Sequence, residues 1–165
     1  MKNFSSRKAA RLKGYDYSIP GAYFITICVK GRKKLLAKIV GDDAHIVPQN
    51  QLSYYGLVCD KYINNINIKY ENVMVDKYVI MPNHIHLIVS LHGTMKASSP
   101  TKHIETIVRS FKTLVTKEIG TSIWQRSYHD HIIRGEKDYQ EIWKYVDTNV
   151  LQWESDRFYN SETEH

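Results

Sequence analysis

Residues 81–91 read MPNHIHLIVSL, and this stretch decides how the rest of the chain is arranged. It opens with a turn signal at Pro82 and Asn83 and continues in a strand pattern. The apolar residues that alternate along it, and so share one face of the predicted strand, are Ile85, Leu87, Val89 and Leu91. His84 and His86 then lie two residues apart on the opposite face. Such a pair is either two polar residues on the wet face of a half-buried strand or half of a metal site.

The composition sets the first limits on the function. With 165 residues, 42% of them hydrophobic and 24% charged, the chain is expected to be one globular domain with a sizeable core. A formal net charge of +6 favours a polyanionic partner. Cys28 and Cys59 have no metal-ligand spacing and are interpreted as reduced core thiols. No apolar run approaches the roughly 20 residues that a membrane span needs, and residues 1–7 carry no apolar signal core, so we expect a cytoplasmic protein without membrane contact.

Periodicity divides the chain into a basic arm (residues 1–20), one domain (21–155) and a polar tail (156–165). Besides residues 84–91, the predicted strands are residues 22–29, 73–80 and 124–134, with a short strand at 45–47 inside the loop of residues 30–48. The predicted helices are residues 51–66, a second from Ser99-Pro100 to Gly120, and a third from an Asp138 cap to about Trp153. The strands 73–80 and 84–91 are joined by a short connection, which predicts antiparallel neighbours.

The last predicted helix carries two polar side chains away from its apolar stripe. At about 100° per residue, Tyr139 lies at the centre of the stripe, which assigns it to packing. Tyr145 lies about 110° from the stripe and Asn149 about 70° on the same side, one turn apart. The alternatives are a partly exposed surface tyrosine and a helix C-cap asparagine.

Two further groups of residues are candidates for chemistry or binding. Tyr128 and His131, on the predicted strand 124–134, are a possible nucleophile and a possible metal ligand. Arg109 and Lys112 lie off the apolar face of the second helix, where they either bind phosphates or are simply solvated.

Taken together, the motifs resemble a known family. The matching blocks, quoted from this sequence, are MPNHIHLI at 81–88, WQR at 124–126, DHIIR at 130–134, DY at 138–139 and YVDTN at 145–149. They resemble the single-tyrosine, IS200-like transposases of the HUH endonuclease superfamily, and within these the REP-associated tyrosine transposases. The order and spacing match over residues 15–153. One departure is Asn149-Val150, where the family usually has Asn-Pro.

The resemblance implies a fold and a mechanism. The fold is α+β and ferredoxin-like, an antiparallel sheet of four or five strands with packed helices. His84, His86 and Asn149 would hold Mg²⁺ or Mn²⁺ as a neutral ligand set, and Tyr145 would attack a phosphate of single-stranded hairpin DNA to form a 5′-phosphotyrosine link. Such a protein would be nucleoid-associated. The candidate phosphate contacts are the basic arm, Arg109, Lys112 and Arg126.

Two other functions fit the same residues. One is a domain of this fold that binds hairpin DNA without cutting it. The other is a hydrolase that uses activated water, with Zn²⁺ on His84, His86 and His131. The sequence also leaves open whether the site is built within one chain or by a helix exchanged in a homodimer.

Overall fold

The structure is a computed structural model that describes residues 20–41, 45–93 and 104–160. Two short 3₁₀ turns, Lys30–Arg32 and Val150–Ser155, accompany the regular elements. In chain order these are β1 (Gly21–Cys28), β2 (Ala37–Val40), β3 (Gln49–Leu52), α1 (Tyr54–Lys69), β4 (Val73–Ile80), β5 (His84–Leu91), α2 (Ile104–Ile119), β6 (His129–Ile133) and α3 (Gly135–Thr148).

Four strands form one antiparallel sheet in the order β4-β5-β1-β6, which confirms the predicted α+β fold. β4 and β5 pair as the predicted neighbours, and β1 lies between β5 and β6 as a central strand. The register places His84 beside Cys28 and His86 beside Thr26, so polar residues of two adjacent strands face the same side. β2 and β3 form a separate two-stranded hairpin.

The two faces of the sheet are covered by different helices. On one face, apolar residues such as Ile25, Ile85 and Leu87 pack against α1 and α2 in the main core. On the other face, Phe24 and Ile88 pack against α3 in a smaller apolar cluster. Every residue of β5 is buried as a result. The histidines are therefore enclosed between the sheet and α3, and do not lie on an open wet face.

The loop predicted for residues 30–48 is partly wrong, because it contains β2, and residues 45–47 are not a strand. β3 occupies residues 49–52, two of which were assigned to the first helix. The sequence of β3 is QNQL, which has no strand preference, so pairing with β2 decides its conformation. Ser53 ends the strand by capping α1, accepting a hydrogen bond from the Gly56 N–H at 3.1 Å. A Cβ at Gly56 would lie 2.1 Å from the Leu36 carbonyl oxygen, so only glycine allows this approach.

The other helices need smaller corrections. α2 ends at Ile119 before Gly120, as predicted, whereas its predicted start at Ser99 and Pro100 lies outside the described residues. α3 begins at Gly135, earlier than the predicted cap at Asp138. Asp138 instead reaches back from within the helix, where its carboxylate accepts the Arg134 N–H at 2.9 Å. α3 ends at Thr148, and a 3₁₀ turn replaces its predicted continuation to Trp153.

The segment after residue 155 is not a solvated tail as far as the structure describes it. Residues 156–160 return to the sheet, and Phe158 is buried. The predicted basic arm falls outside the described residues, except for Pro20. Among the helices that the structure describes, none has the length and apolarity to cross a membrane.

Candidate active site

The two histidines of β5 meet at their ring nitrogens. The Nε2 atoms of His84 and His86 lie 3.1 Å apart. Both side chains are buried, at 0% and 1% exposure. Two nitrogens bound at right angles to one ion at about 2.1 Å would lie about 3.0 Å apart. The observed spacing is that of a hydrogen bond between the two rings, and it also fits two ligands of a single ion.

Asn83 orients the ring of His84. His84 Nδ1 lies 2.8 Å from Oδ1 of Asn83, an atom that only accepts, so Nδ1 carries the proton and Nε2 the lone pair. The Asn83 amide keeps this orientation because its Nδ2 donates to the carbonyl oxygens of Phe158 at 2.7 Å and Arg32 at 3.3 Å. A backbone hydrogen bond from Val29 N–H to the Asn83 carbonyl fixes the turn itself. Pro82 and Asn83 thus form the turn, and the Asn83 side chain also orients the ring of His84.

Thr26 orients the ring of His86 from the adjacent strand. Its Oγ1 lies 2.7 Å from His86 Nδ1. A hydroxyl can donate or accept, so Thr26 suits either tautomer of the neutral ring. When it accepts from Nδ1, the Nε2 lone pair is available to an ion, and such partners typically raise the affinity of a histidine ligand.

Asn149 brings an amide to the histidines at the end of α3. The side chain is 1% exposed, and its Nδ2 donates to Oδ2 of Asp156 at 2.8 Å. Its Oδ1 is buried and has no hydrogen-bond partner among the described residues. An unsatisfied buried oxygen costs on the order of 1–3 kcal/mol, which a divalent cation would offset. Asn149 is also the C-cap residue of α3, which confirms that alternative, whereas its role as a metal ligand stays a prediction.

Asp156 is a site residue that the sequence analysis missed. Ligand atoms of His84, His86 and Asp156 all lie within 4.8 Å of one another. The residue fell in the predicted polar tail, where no periodic pattern marks it. The available signal was the pair of large aromatic residues around it, Trp153 and Phe158, which a solvated tail does not need. A ligand set that included this carboxylate would be anionic, whereas the predicted set of His84, His86 and Asn149 is neutral, and it would suit a hard divalent cation.

Tyr145 reaches the same cluster from one turn before Asn149. Its hydroxyl lies 3.5 Å from His86 Nε2 and 3.5 Å from Asp156 Oδ2. Its ring stands edge-on to Phe24, with centroids 6.0 Å apart. The phenol is thus half-buried and directed at the histidines, in contrast to the alternative of a surface tyrosine.

Burial controls the ionisation of these groups. It lowers the pKa of His84 and of His86, because a charged imidazole would lose its hydration, and the Arg157 charge lowers both further. Burial raises the pKa of Tyr145 to about 12; Asp156 adds to this shift and Arg157 opposes it. At neutral pH the histidines are therefore neutral, as ion ligands must be, whereas the phenol keeps its proton.

Phe158 covers the histidine pair. Its ring centroid lies 4.4 Å from that of His84 and 5.9 Å from that of His86. The Phe158 N–H donates to Oδ1 of Asp156 at 2.8 Å, which couples the covering ring to the carboxylate. A phosphate group would have to displace this ring in order to reach the histidines.

A family model described as "Transposase IS200 like" matches residues 21–149, which run from the start of β1 to the amide of Asn149. The chain belongs to the IS200-like transposase family. The match includes the histidines and Tyr145, and it ends before Asp156 and Phe158. Asp156 and Phe158, which contact the histidines and Tyr145, thus lie in a segment beyond the family match.

Two comparisons place this IS200-like transposase among known proteins. An uncharacterized protein of Haemophilus influenzae is 34% identical over 173 residues, covering 93% of each chain. A solved structure of a REP-associated tyrosine transposase bound to a REP hairpin superposes with a TM-score of 0.60 at 22% identity. The superposition covers 84% of this chain and 72% of that one, and shows a shared fold.

The alternative ligand His131 does not join the histidine pair. In this IS200-like fold it lies beside Phe24 in the register of β6, and its Nε2 is 2.9 Å from Oδ2 of Asp138. The zinc set of His84, His86 and His131 is therefore not assembled. The sequence could not distinguish the faces of β6 because His129, Asp130 and His131 are three consecutive polar residues and show no alternation.

The alternative nucleophiles are also placed elsewhere. Tyr128 is 7% exposed and belongs to the main core, on the face of the sheet that α1 and α2 cover. Tyr139 packs on the apolar cluster below α3, as its stripe position predicts, and its hydroxyl donates to Oδ2 of Asp76 at 2.9 Å. Among the three tyrosines considered, only Tyr145 has its hydroxyl at the histidines.

The basic residues predicted to contact DNA are not gathered at the site. Arg109 is exposed and paired with Glu105 at 3.0 Å on α2, across the sheet from the histidines. Lys112, also on α2, donates to the carbonyl oxygens of Gln125 at 2.9 Å and Ser127 at 3.0 Å, which fastens the helix to the segment before β6. Arg126 is exposed in that segment. Their contact with DNA stays a prediction.

Proposed function

We propose that this chain is a metal-dependent nicking and strand-transfer enzyme for single-stranded DNA, with Tyr145 as its nucleophile. The observation that carries the proposal is the 3.5 Å separation between the Tyr145 hydroxyl and His86 Nε2. Nucleophile and ligand cluster share one pocket of one chain. Attack on a phosphate bound at a metal ion needs this proximity.

The proposed ion is Mg²⁺ or Mn²⁺, held by His84, His86 and Asn149, with Asp156 as a further oxygen ligand. The buried Asn149 Oδ1 without a donor supports this set, as does the converging pair of neutral imidazoles. When bound, such an ion would withdraw charge from the scissile phosphate and stabilise the phenolate.

The chain's own groups account for the rest of the chemistry. The Tyr145 hydroxyl loses its proton, for which the Asp156 carboxylate is the acceptor in reach, and its oxygen forms a bond to phosphorus. The bond from phosphorus to the 3′ oxygen breaks, and that oxygen takes up a proton. The products are a 5′-phosphotyrosine link and a free 3′-OH. Because the phosphodiester energy is retained in the link, attack by another 3′-OH transfers the strand without an added energy source.

Hairpin DNA is the proposed substrate. One solved structure that shares this fold is of a transposase bound to a REP hairpin, and the net charge of +6 suits a polyanion. A hairpin presents unpaired bases beside a short duplex, so single-stranded DNA is available at a defined place.

The test is the formation of a covalent adduct. Wild-type protein, Mn²⁺ and a labelled single-stranded hairpin oligonucleotide should yield a species that survives denaturant and gel electrophoresis. Tyr145→Phe removes one hydroxyl and should abolish the adduct. Tyr139→Phe is the matched control, since it removes a hydroxyl from the same helix, and should retain the adduct.

Either of two results would contradict the assignment. An adduct that persists in Tyr145→Phe but is lost in Tyr128→Phe would move the nucleophile to the segment before β6. No adduct on any hairpin, together with tight binding, would favour the second candidate, a domain that binds hairpin DNA without cutting it. That candidate has one observation in its support, since Phe158 covers the histidines.

A further inference from the structure

We propose that His129 of β6 is a third imidazole at the histidine pocket, which donates a hydrogen bond to an oxygen of the scissile phosphate. The inference deepens the proposed function, on which it rests for the identity of the ligand. The sequence had indicated His131 instead, two residues further along the same strand, and the structure pairs that residue with Asp138.

The strand register places His129 on the same face of the sheet as the ligand pair. Thr26 of β1 is the link, because its register partners are His86 on β5 and His129 on β6. Directly opposite residues of antiparallel strands point to the same side of the sheet. Burial is the main cause that lowers the pKa of His86, and charge on His129 is a further cause, as expected for two rings at one pocket.

The ring of Phe158 lies at a position that all three histidines share. Its centroid is 4.4 Å from that of His84. The corresponding distances are 5.9 Å to His86 and 6.4 Å to His129. A phosphate group must displace this ring in order to reach the ligand pair. A phosphate in that position would therefore lie next to His129 as well.

His129 also has a ring nitrogen that the fold does not use. Its Nδ1 is buried and has no hydrogen-bond partner among the described residues. In the two other histidines, Nδ1 is bonded to Asn83 and to Thr26, respectively. A buried polar atom without a partner is destabilising, and a hydrogen bond to a phosphate oxygen would remove that cost.

The ionisation of His129 suits a hydrogen bond better than an ion pair. Burial lowers the pKa of His129, and the Arg157 charge lowers it further, whereas Asp130 raises it. The ring is therefore neutral at neutral pH and carries one N–H, and a phosphate oxygen is a suitable acceptor for it. The ligand atoms that lie within 4.8 Å of one another belong to His84, His86 and Asp156, so His129 is not assigned to the ion. A contact from β6 would fix the phosphate from a second strand and keep it aligned for attack.

Binding without cleavage tests this contact. The parent protein carries Tyr145→Phe, the buffer contains Mg²⁺, and the probe is a fluorescent oligothymidylate, which offers a phosphodiester to the ion. His129→Phe keeps a planar ring and removes both nitrogens, and it should weaken binding about 10-fold. The slope of log K against log salt should not change, because a neutral donor releases no counterion. A lower slope would overturn the assignment of a neutral contact.

Three comparisons separate a phosphate contact from a general effect on the fold. His131→Phe is the matched control on the same strand, and its affinity should stay within about 2-fold of the parent. His129→Gln retains an amide donor and should recover most of the lost affinity. Calorimetric titration with Mn²⁺ should give His129→Phe the parental ion affinity, and a weaker one would mean that His129 acts through the ligand pair. Circular dichroism identifies a variant that fails to fold, and His129→Leu then replaces His129→Phe.

The same substitution should slow the chemistry. With Tyr145 present and Mn²⁺ added, His129→Phe should form the adduct about 10–100-fold more slowly than wild type. The proposal is overturned if the folded variant keeps the parental affinity, or if His131→Phe loses as much. Failure of the proposed function is a different result, because wild type then forms no adduct while His129→Phe still weakens binding. Normal adduct formation with unchanged affinity would preserve the chemistry and reject the role of His129.

Discussion

The two faces of β5 differ in what specifies them. One face carries Ile85 and Leu87 into a core with α1 and α2, where the requirement is apolar volume. The other face carries His84 and His86, whose ring orientations depend on Asn83 and Thr26. Apolar packing tolerates substitutions of similar volume, whereas a ligand pair depends on individual hydrogen bonds. A single strand thus combines a general stability requirement with a specific chemical one.

The largest expected effects come from substituting two neighbouring residues that lie on opposite faces of β5. Ile85→Ala should destabilise the protein by about 2–5 kcal/mol, because it leaves a cavity in the main core. Its adduct formation, assayed at low temperature while the protein remains folded, should stay close to wild type. His86→Gln should do the opposite and abolish the adduct with a smaller loss of stability. Urea unfolding measures the free energy of unfolding, and the gel measures the amount of adduct. If both variants lost equal stability and equal adduct, the proposed difference between the two faces would be contradicted.

The polar face should also confer a pH dependence on the ion-free protein. Burial lowers the pKa of His84 and His86 below the ordinary 6.5, so the unfolded chain binds more protons than the folded one in acid. The free energy of unfolding should therefore be constant above about pH 7 and fall below about pH 6.5. The limiting slope is about 1.4 kcal/mol per pH unit for each histidine. Urea titrations with chelator from pH 7 to 5 measure the slope of the unfolding free energy against pH. The slope should be smaller in H84Q/H86Q, and an unchanged slope would mean that other groups cause the pH dependence.

A smaller effect is expected from the residue that orients a ligand. Thr26→Val keeps the shape of the side chain and removes the hydroxyl next to His86 Nδ1. Ion affinity should fall about 10–100-fold, as is typical for such partners. Calorimetric titration with Mn²⁺ measures this fall. Thr113→Val is a matched control on α2, whose hydroxyl donates only to the Arg109 carbonyl of the same helix. Equal affinities of the two variants would count against the role of Thr26.

The smallest effect should come from the residue that covers the pocket. Phe158→Ala removes the ring over His84 and keeps the backbone carbonyl that Asn83 binds. Adduct formation should become several-fold faster at limiting DNA, because no ring must be displaced. Tyr159→Ala is the neighbouring control. A slower reaction in Phe158→Ala would mean that the ring supports the site instead of obstructing it.

The sequence predicted the parts of this molecule that depend on periodicity. Alternation predicted strands 73–80 and 84–91 and the central strand, and helical spacing predicted the apolar faces of the last two helices. β3 was not predicted, because its polar sequence takes its conformation from pairing with β2. Tyr145 and Asn149 could be separated from the apolar stripe, since the angle between positions on a helix is fixed.

The rest of the site could not be predicted because its residues meet through tertiary contacts alone. Asp156 lies seven residues after Asn149, beyond the end of α3, and its approach depends on the turn at Val150–Ser155. Arg109 and Lys112 lie across the sheet from the histidines, which the sequence could not predict because it does not state which side of the sheet α2 covers. Lys112 also shows that a basic side chain off the apolar stripe can serve the fold, by binding two carbonyl groups.

The bond between Asn83 and Phe158 has a consequence for the order of synthesis. All four strands of the sheet and Tyr145 leave the ribosome before the Phe158 carbonyl that fixes the Asn83 amide, and before the Asp156 carboxylate. A nascent chain can therefore form the sheet and bury its apolar faces while His84 still lacks its settled orientation. In the order of synthesis, the sheet therefore precedes the groups that complete the surroundings of the histidine pair.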